Sequence, residues 1–209
     1  MKILLFNTGI YDVNTYLVYD EASKEAAVID LGGVCSKLFD AIRENNLKIK
    51  YLLNTHGHFD HLSGELDFQT KYPDVPVYLH KEDEELAENL EIILNYMGAA
   101  PQKPPKITNF LDENTQLKLG EIQIKVIETP GHTKGGVCFL ANDVLFSGDT
   151  LFYESIGRTD FPGGSFEQLQ NSIRQKLFKL PDATKVLPGH GDATQIGYEK
   201  LNNRCVIGA

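Results

Sequence analysis

The stretch Asn54–Gly64, NTHGHFDHLSG, constrains this chain more than any other. It crowds His56, His58, Asp60 and His61 together, although the whole sequence holds only six histidines. Imidazole and carboxylate at such short spacing suit zinc, and also manganese or iron. One turn of chain cannot comfortably aim all four at a single ion. The alternate residues His56 and His58 can project together, while Asp60 and His61 can turn toward a second ion beside the first. Each site is then short of ligands, so the fold has to deliver others from distant segments.

Three further motifs offer them. TPGHTKGG carries His132, LFSGDT carries Asp149 and LPGHGDA carries His190. Each follows a segment that reads as a strand, at the strand-to-loop junction where sites in sheet proteins collect. Neighbouring glycines permit the sharp turns that bring side chains inward. Any one of these motifs alone reads as a turn. Beside the histidine cluster they read as one set. The sixth histidine, His80, has no such company and is read as a satisfied boundary residue.

The rest of the chain reads as scaffold. KILLF, NTYLVYD and EAAVIDLGG are predicted strands, CSKLFDAIRENN a helix through Leu38, Phe39 and Ile42, and IKYLLNT a buried strand ending at the histidine cluster. LSGELDFQTKYP reads as a helix stopped by Pro73, and VPVYLH as a strand. KEDEELAENLEIILNYMG reads as one helix with Leu86, Leu90, Ile93 and Met97 in an apolar stripe. Its acidic run Glu82–Glu85 is assigned to a solvated first turn that complements the helix dipole. GAAPQKPPKITN reads as a Pro-rich loop closing the first half. The second half restarts with strands QLKLG, EIQIKVIET, GVCFLAND and VLFSGD. A helix SFEQLQNSIRQKLFKL follows, opened by a Ser165–Gln168 capping box, then a strand TKVLPGH and a short helix GYEKLNNR. Strands followed by βα units, twice over, predict an α/β protein with two sheets face to face and helices outside.

A chain of 209 residues is expected to form a single domain, 1–209, large enough to bury roughly 70% of its unfolded surface. A net charge of −9 argues against a nucleic-acid partner. Cys35, Cys138 and Cys205 are far apart and odd in number, so reduced thiols and a cytoplasmic location are expected. The N-terminus does not read as a signal peptide, and no apolar run reaches the length of a membrane span.

THGHFDH, PGHT, GDT and PGHG, in that order, resemble the metallo-β-lactamase superfamily from about residue 2 to residue 200. The resemblance implies a four-layer αββα sandwich with one or two metals at its edge. It assigns His56, His58 and His132 to one metal, Asp60, His61 and His190 to the other, and Asp149 to both. Asp30, ending AAVID, is either a supporting residue behind the ligands or a turn aspartate. The implied cofactors are two divalent metals, Zn2+ first, with Fe or Mn as alternatives. Two such ions sharing a carboxylate can also share a hydroxide near neutral pH, with Asp60 directing its attack. That is a hydrolase mechanism, and no G-x-S-x-G, H-E-x-x-H or P-loop competes with it.

The substrate is read from smaller signals. Antibiotic-hydrolysing members usually lack an aspartate at the place of Asp149, and they must expel an amine-like nitrogen. A thiolate leaves with little acid help, which favours a thioester. GDTLFYESIGRTDFPGG resembles the short glyoxalase II-like hydrolases, implying a small-molecule thioester such as S-lactoylglutathione. The departures are a short tail after His190 in place of a glutathione-gripping domain, no Asn-Pro-Phe near the end, and Lys134 where proline is frequent. Tyr153 and Arg158 are the candidate substrate contacts, although Arg158 could instead pair with Asp160. Lys200 and Arg204, one helical turn apart, either bind a carboxylate or face solvent. A similar G-R-T-D occurs in persulfide dioxygenases with a single iron, the alternative activity. The segment 81–109 is expected to wall the cleft and govern substrate choice more than metal content.

Overall fold

The computed structural model describes residues 1–96, 98, 100 and 102–208. Its first two strands, β1 (Lys2–Thr8) and β2 (Val13–Tyr19), pair antiparallel. Every residue of β2 is buried. Tyr16 and Val18 enter one apolar cluster while Leu17 and Tyr19 enter another. A period of two with both faces apolar places this strand between two layers.

The first sheet continues with β3 (Glu25–Ile29), β4 (Lys48–Leu53), β5 (Val77–His80) and β6 (Asn109–Leu111), in spatial order β1 to β6. The last three join in parallel, each through a helical crossover. The second sheet holds β7 (Leu117–Leu119), β8 (Ile122–Glu128), β9 (Val137–Ala141) and β10 (Val144–Gly148). After a small hairpin of β11 (Leu151–Phe152) and β12 (Ser155–Ile156) it is completed by β13 (Lys185–Pro188) and β14 (Thr194–Gln195). Its order is β14-β13-β10-β9-β8-β7.

The two sheets share one core, in which Val18, Ala27, Ile29 and Leu53 meet Val126, Phe139 and Phe146. The outer face of the first sheet buries Leu38, Phe39 and Ile42 of α1 (Ser36–Glu44) against Leu17 and Val28. Each such side chain contributes about 1.5–3 kcal/mol on burial. Phe59 to Leu62 form the one-turn helix α2, and Glu65–Lys71 form α3, whose Phe68 joins the same layer. The outer face of the second sheet is covered by α6 (Phe166–Gln175), α7 (Ile196–Asn202) and α8 (Arg204–Ile207), through Leu169, Ile173, Ile196 and Val206. The architecture is the four-layer α/β sandwich, helices outside two mixed sheets.

Several elements depart from expectation. The long helix after β5 is instead a 3-10 turn Lys81–Asp83, then α4 (Glu84–Glu88) and α5 (Leu90–Tyr96), divided at Asn89. Of the stripe read from spacing Leu90 is buried while Leu86 and Ile93 are half-buried, and Ala87 and Leu94 are buried beside it; Met97 lies outside the described residues. The acidic run is not uniformly solvated, because Asp83 is wholly buried by three hydrogen-bond donors. β6 follows the Pro-rich loop and is too short, with only Leu111 buried, to leave an alternating pattern. Ser165 does cap α6, accepting from Gln168 N–H at 3.3 Å. That helix gives way to a 3-10 turn at Leu177–Lys179 ahead of Pro181, which holds Leu180 extended. All three cysteines are unpaired. No helix among the described residues is long and apolar enough to cross a membrane.

Candidate metal centre

The ends of β4, β8, β10 and β13 open onto one edge of the sandwich, and each is followed by a predicted ligand. The loop after β4 is stitched to the second sheet by Val137 N–H donating to Thr55 carbonyl at 2.8 Å. The loop after β13 is held by the first sheet. Asn14 donates through Nδ2 to the carbonyls of Pro188 at 3.0 Å and Gly191 at 2.9 Å, and Tyr16 donates its hydroxyl to Pro188 at 2.7 Å. Two residues of β2 therefore fix the loop that carries His190.

These strand ends bring all seven predicted ligands together. Three groups have donor atoms mutually within 4.8 Å: His56, His58 and His132; His56, His61 and Asp149; Asp60, His61 and His190. Asp60 and His61 sit on α2 and not in a simple turn; the His61 ring stays 4.1 Å from that of His56 while its Nε2 faces Asp149 and His190. Asp149 lies between the sets, with Oδ1 3.4 Å from His61 Nε2 and Oδ2 3.5 Å from His132 Nε2. His190 Nε2 lies 3.4 Å from Asp60 Oδ2 and 3.7 Å from Asp149 Oδ2.

The outer partners of the imidazoles decide what faces inward. His132 Nδ1 lies 2.7 Å from the Arg158 carbonyl and His190 Nδ1 lies 3.2 Å from the Tyr11 carbonyl, so both nitrogens must donate. Asp30 accepts from Thr55 N–H at 2.8 Å and from the Thr55 hydroxyl at 2.7 Å, and its Oδ2 lies 3.1 Å from His61 Nδ1. The Thr55 hydroxyl, with its proton given to Asp30, is left to accept from His56 Nδ1 at 3.0 Å. Four rings thus direct Nε2 lone pairs into the centre. There His58 Nδ1 and His132 Nε2 face each other at 2.9 Å, while His56 Nε2 and Asp149 Oδ1 are buried without a hydrogen bond. Converging imidazole nitrogens and carboxylates, two of their atoms buried without a hydrogen bond, fit divalent cations, and the oxygen and nitrogen donor set suits zinc, manganese or iron.

The electrostatics agree. Burial, reinforced by His61, His132 and His58, drives His56 far below its ordinary value and keeps it neutral. Burial and His132 lower His58 to about 4. Burial opposes charge on Asp149, yet His61, His132 and His190 overcome it and keep the carboxylate ionised. Burial likewise opposes protonation of His61, but Asp149 and Asp30 raise it well above the usual range. The carboxylates draw positive charge into a buried place, and a metal ion would compete with those protons.

A match to the model of the metallo-beta-lactamase superfamily spans residues 8–190. The chain belongs to that superfamily. Among its relatives is hydroxyacylglutathione hydrolase GloC of Haemophilus influenzae, 36% identical over 211 residues, covering 97% of both chains. Two solved structures are similar over nearly their whole length. BLEG-1 B3 metallo-beta-lactamase is 33% identical with a TM-score of 0.89, covering 99% of this chain and 100% of the other. TTHA1623, solved in a di-iron-bound form, is 35% identical with a TM-score of 0.85, covering 96% and 98%. The chain is a metal-dependent hydrolase of the metallo-beta-lactamase superfamily with a His- and Asp-rich candidate site for two ions.

The candidate substrate residues sit differently. Arg158 forms a two-pronged ion pair with Asp160 at 2.8 and 2.7 Å and lies over the Phe161 ring, which meets His58 edge-on at 5.7 Å. Of its two readings, internal pairing is the one the structure displays. Tyr153 stacks on Tyr198, its hydroxyl 3.0 Å from that of Tyr198. Lys200 is engaged by Asp182 at 2.5 Å and the Leu180 carbonyl at 3.1 Å. His80 caps the following turn, accepting from Glu82 N–H at 3.3 Å. Sequence reasoning missed the aromatic surround of the centre. Phe161 lies against His58, Phe152 meets His190 at 6.3 Å, and the half-exposed Tyr11 packs on Phe59. Phe59 stands in THGHFDH, and Phe152 and Phe161 in GDTLFYESIGRTDFPGG, while Tyr11 comes from the turn between β1 and β2. The ion pair between Arg158 and Asp160 and the glycine-rich turn after it were the one legible hint.

Proposed function

We propose that this protein hydrolyses small-molecule thioesters, of the S-lactoylglutathione kind, with two zinc ions as its native cofactors. The observation that carries the reading is the pair of converging histidine and carboxylate sets with Asp149 between them. Two divalent ions, when bound, supply a water of lowered pKa and polarise the acyl carbonyl. His56, His58 and His132 would hold one and Asp60, His61 and His190 the other, with Asp149 between. Asp60 stays ionised despite its burial because His190 hydrogen-bonds it, and His61 adds to the effect. Ionised, Asp60 would be able to take the proton of the attacking water. The new C–O bond forms, the C–S bond breaks and the thiol sulfur departs with the electron pair. A thiolate needs little acid help at that moment. Phe161 and Phe59 offer apolar walls for the acyl group. The likeness to GloC, named a hydroxyacylglutathione hydrolase, supports the same reading.

Metal analysis with a substrate panel tests it. The expected result is two zinc equivalents and thiol release from S-lactoylglutathione or another acyl thioester. Fully loaded protein that releases no thiol from any of them, or that cleaves β-lactams instead, would overturn the substrate class. One iron with oxygen uptake on a persulfide would replace it with the dioxygenase.

A further inference from the structure

Asp83 lies on the 3-10 turn after β5, among exposed acidic neighbours, yet it has no exposed surface. Its Oδ2 accepts from Gly57 N–H at 2.9 Å and from the Thr133 hydroxyl at 2.7 Å. Its Oδ1 accepts from Gly135 N–H at 2.7 Å. Gly57 separates His56 from His58, and Thr133 follows His132. One carboxylate therefore spans both loops that make up the first metal set. The packing is close. A Cβ on Gly57 would stand 2.7 Å from the Asp83 carbonyl oxygen, and one on Gly135 would stand 2.8 Å from the Asp83 Cγ. Both positions need glycine for space, because the two loops close directly onto this residue.

We propose that Asp83 is the positioning residue of the first metal site, setting the separation of the His56–His58 loop from the His132 loop and hence the affinity for that ion. The proposal rests on the two-metal reading of the centre. It also changes what the segment 81–109 does: replacing it would strip the first metal and not merely alter substrate choice. A buried carboxylate that accepts three hydrogen bonds has no equal substitute. In Asp83→Asn either orientation of the amide faces a backbone N–H with its own N–H2, so at least one loop is released.

The test is Zn2+ titration in competition with a chromophoric chelator, in two backgrounds. His190→Ala leaves the first set intact, and there Asp83→Asn should weaken zinc binding about 10–100-fold. His132→Ala leaves the second set intact, and there the same change should stay within about twofold. Equal loss in both backgrounds would show a general effect on the fold and overturn the proposal, as would no loss in the His190→Ala background. If Asp83→Asn does not fold by circular dichroism, Thr133→Val removes a single donor and decides the matter. Weaker zinc binding restored by Thr133→Ser supports the proposal, and unchanged binding in Thr133→Val overturns it. Wild-type stoichiometry reports separately on the two-metal reading.

Discussion

Replacing Asp30 by asparagine should weaken the second metal while leaving the fold in place. Asp30 is buried and sits at φ +53°, a left-handed backbone that asparagine tolerates well. The asparagine oxygen can still accept from Thr55 N–H, now 2.8 Å from Oδ1. Its N–H2 then takes the place of Oδ2, facing the Thr55 hydroxyl at 2.7 Å and His61 Nδ1 at 3.1 Å. The hydroxyl can rotate and accept, at a cost of about 1 kcal/mol for the donor bond it loses. His61 can accept only by moving its proton from Nδ1 to Nε2, the atom that faces Asp149 and His190. The lone pair needed by the metal is then occupied. Loss of such an outer partner typically costs 10–100-fold in metal affinity, about 1.4–2.8 kcal/mol. The assay is zinc competition for the second equivalent, with 15N spectra of labelled histidine to read the tautomer. An unprotonated His61 Nε2 together with wild-type affinity for both ions would refute the reasoning.

Three other outcomes follow from the same geometry. Asp60→Ala should lower thioester turnover by about 100-fold or more while the protein keeps its circular dichroism spectrum, since a positioned proton acceptor contributes that much; full activity in the variant would remove Asp60 from the chemistry. Asn14→Ala should cost about 1–2 kcal/mol in urea denaturation and loosen zinc at the second set, because the bonds to Pro188 and Gly191 that hold the His190 loop are lost. Glu65 is wholly buried with neither carboxylate oxygen partnered, and burial, only partly offset by Asn54, raises its pKa well above the usual 4.5. Folding therefore takes up a proton. That contribution is complete below pH 4.5 and fades as pH climbs toward the raised value, by up to about 1.4 kcal/mol per unit. Glu65→Gln should gain stability relative to the parent between pH 5 and 8, and a difference that does not change with pH would contradict this.

The sandwich was readable because its causes are local and periodic. Buried strands such as β2 and β4 and the amphipathic α1 and α6 leave patterns of two and of three to four. The ligands were readable because a metal demands particular side chains, and those are rare: five of six histidines stand in three short motifs. The helix after β5 was misread because spacing does not show where a helix breaks; Asn89 and the packing of Leu90 and Leu94 decide that.

What the sequence alone determined, then, was the inventory: which residues could hold metal, and that they had to converge at strand ends. What only the tertiary structure decided was the use of ordinary residues around them. Asp83 looks like one acid in a solvated run until three donors from two distant loops enclose it. Asp30 and Asn14 look like turn and strand polars until they are found behind His61 and beneath His190. A side chain that coordinates carries its chemistry in its identity. A side chain that positions another acquires its role from which donor or acceptor the folded chain places within 3 Å of it, and nothing in its own type or spacing records that.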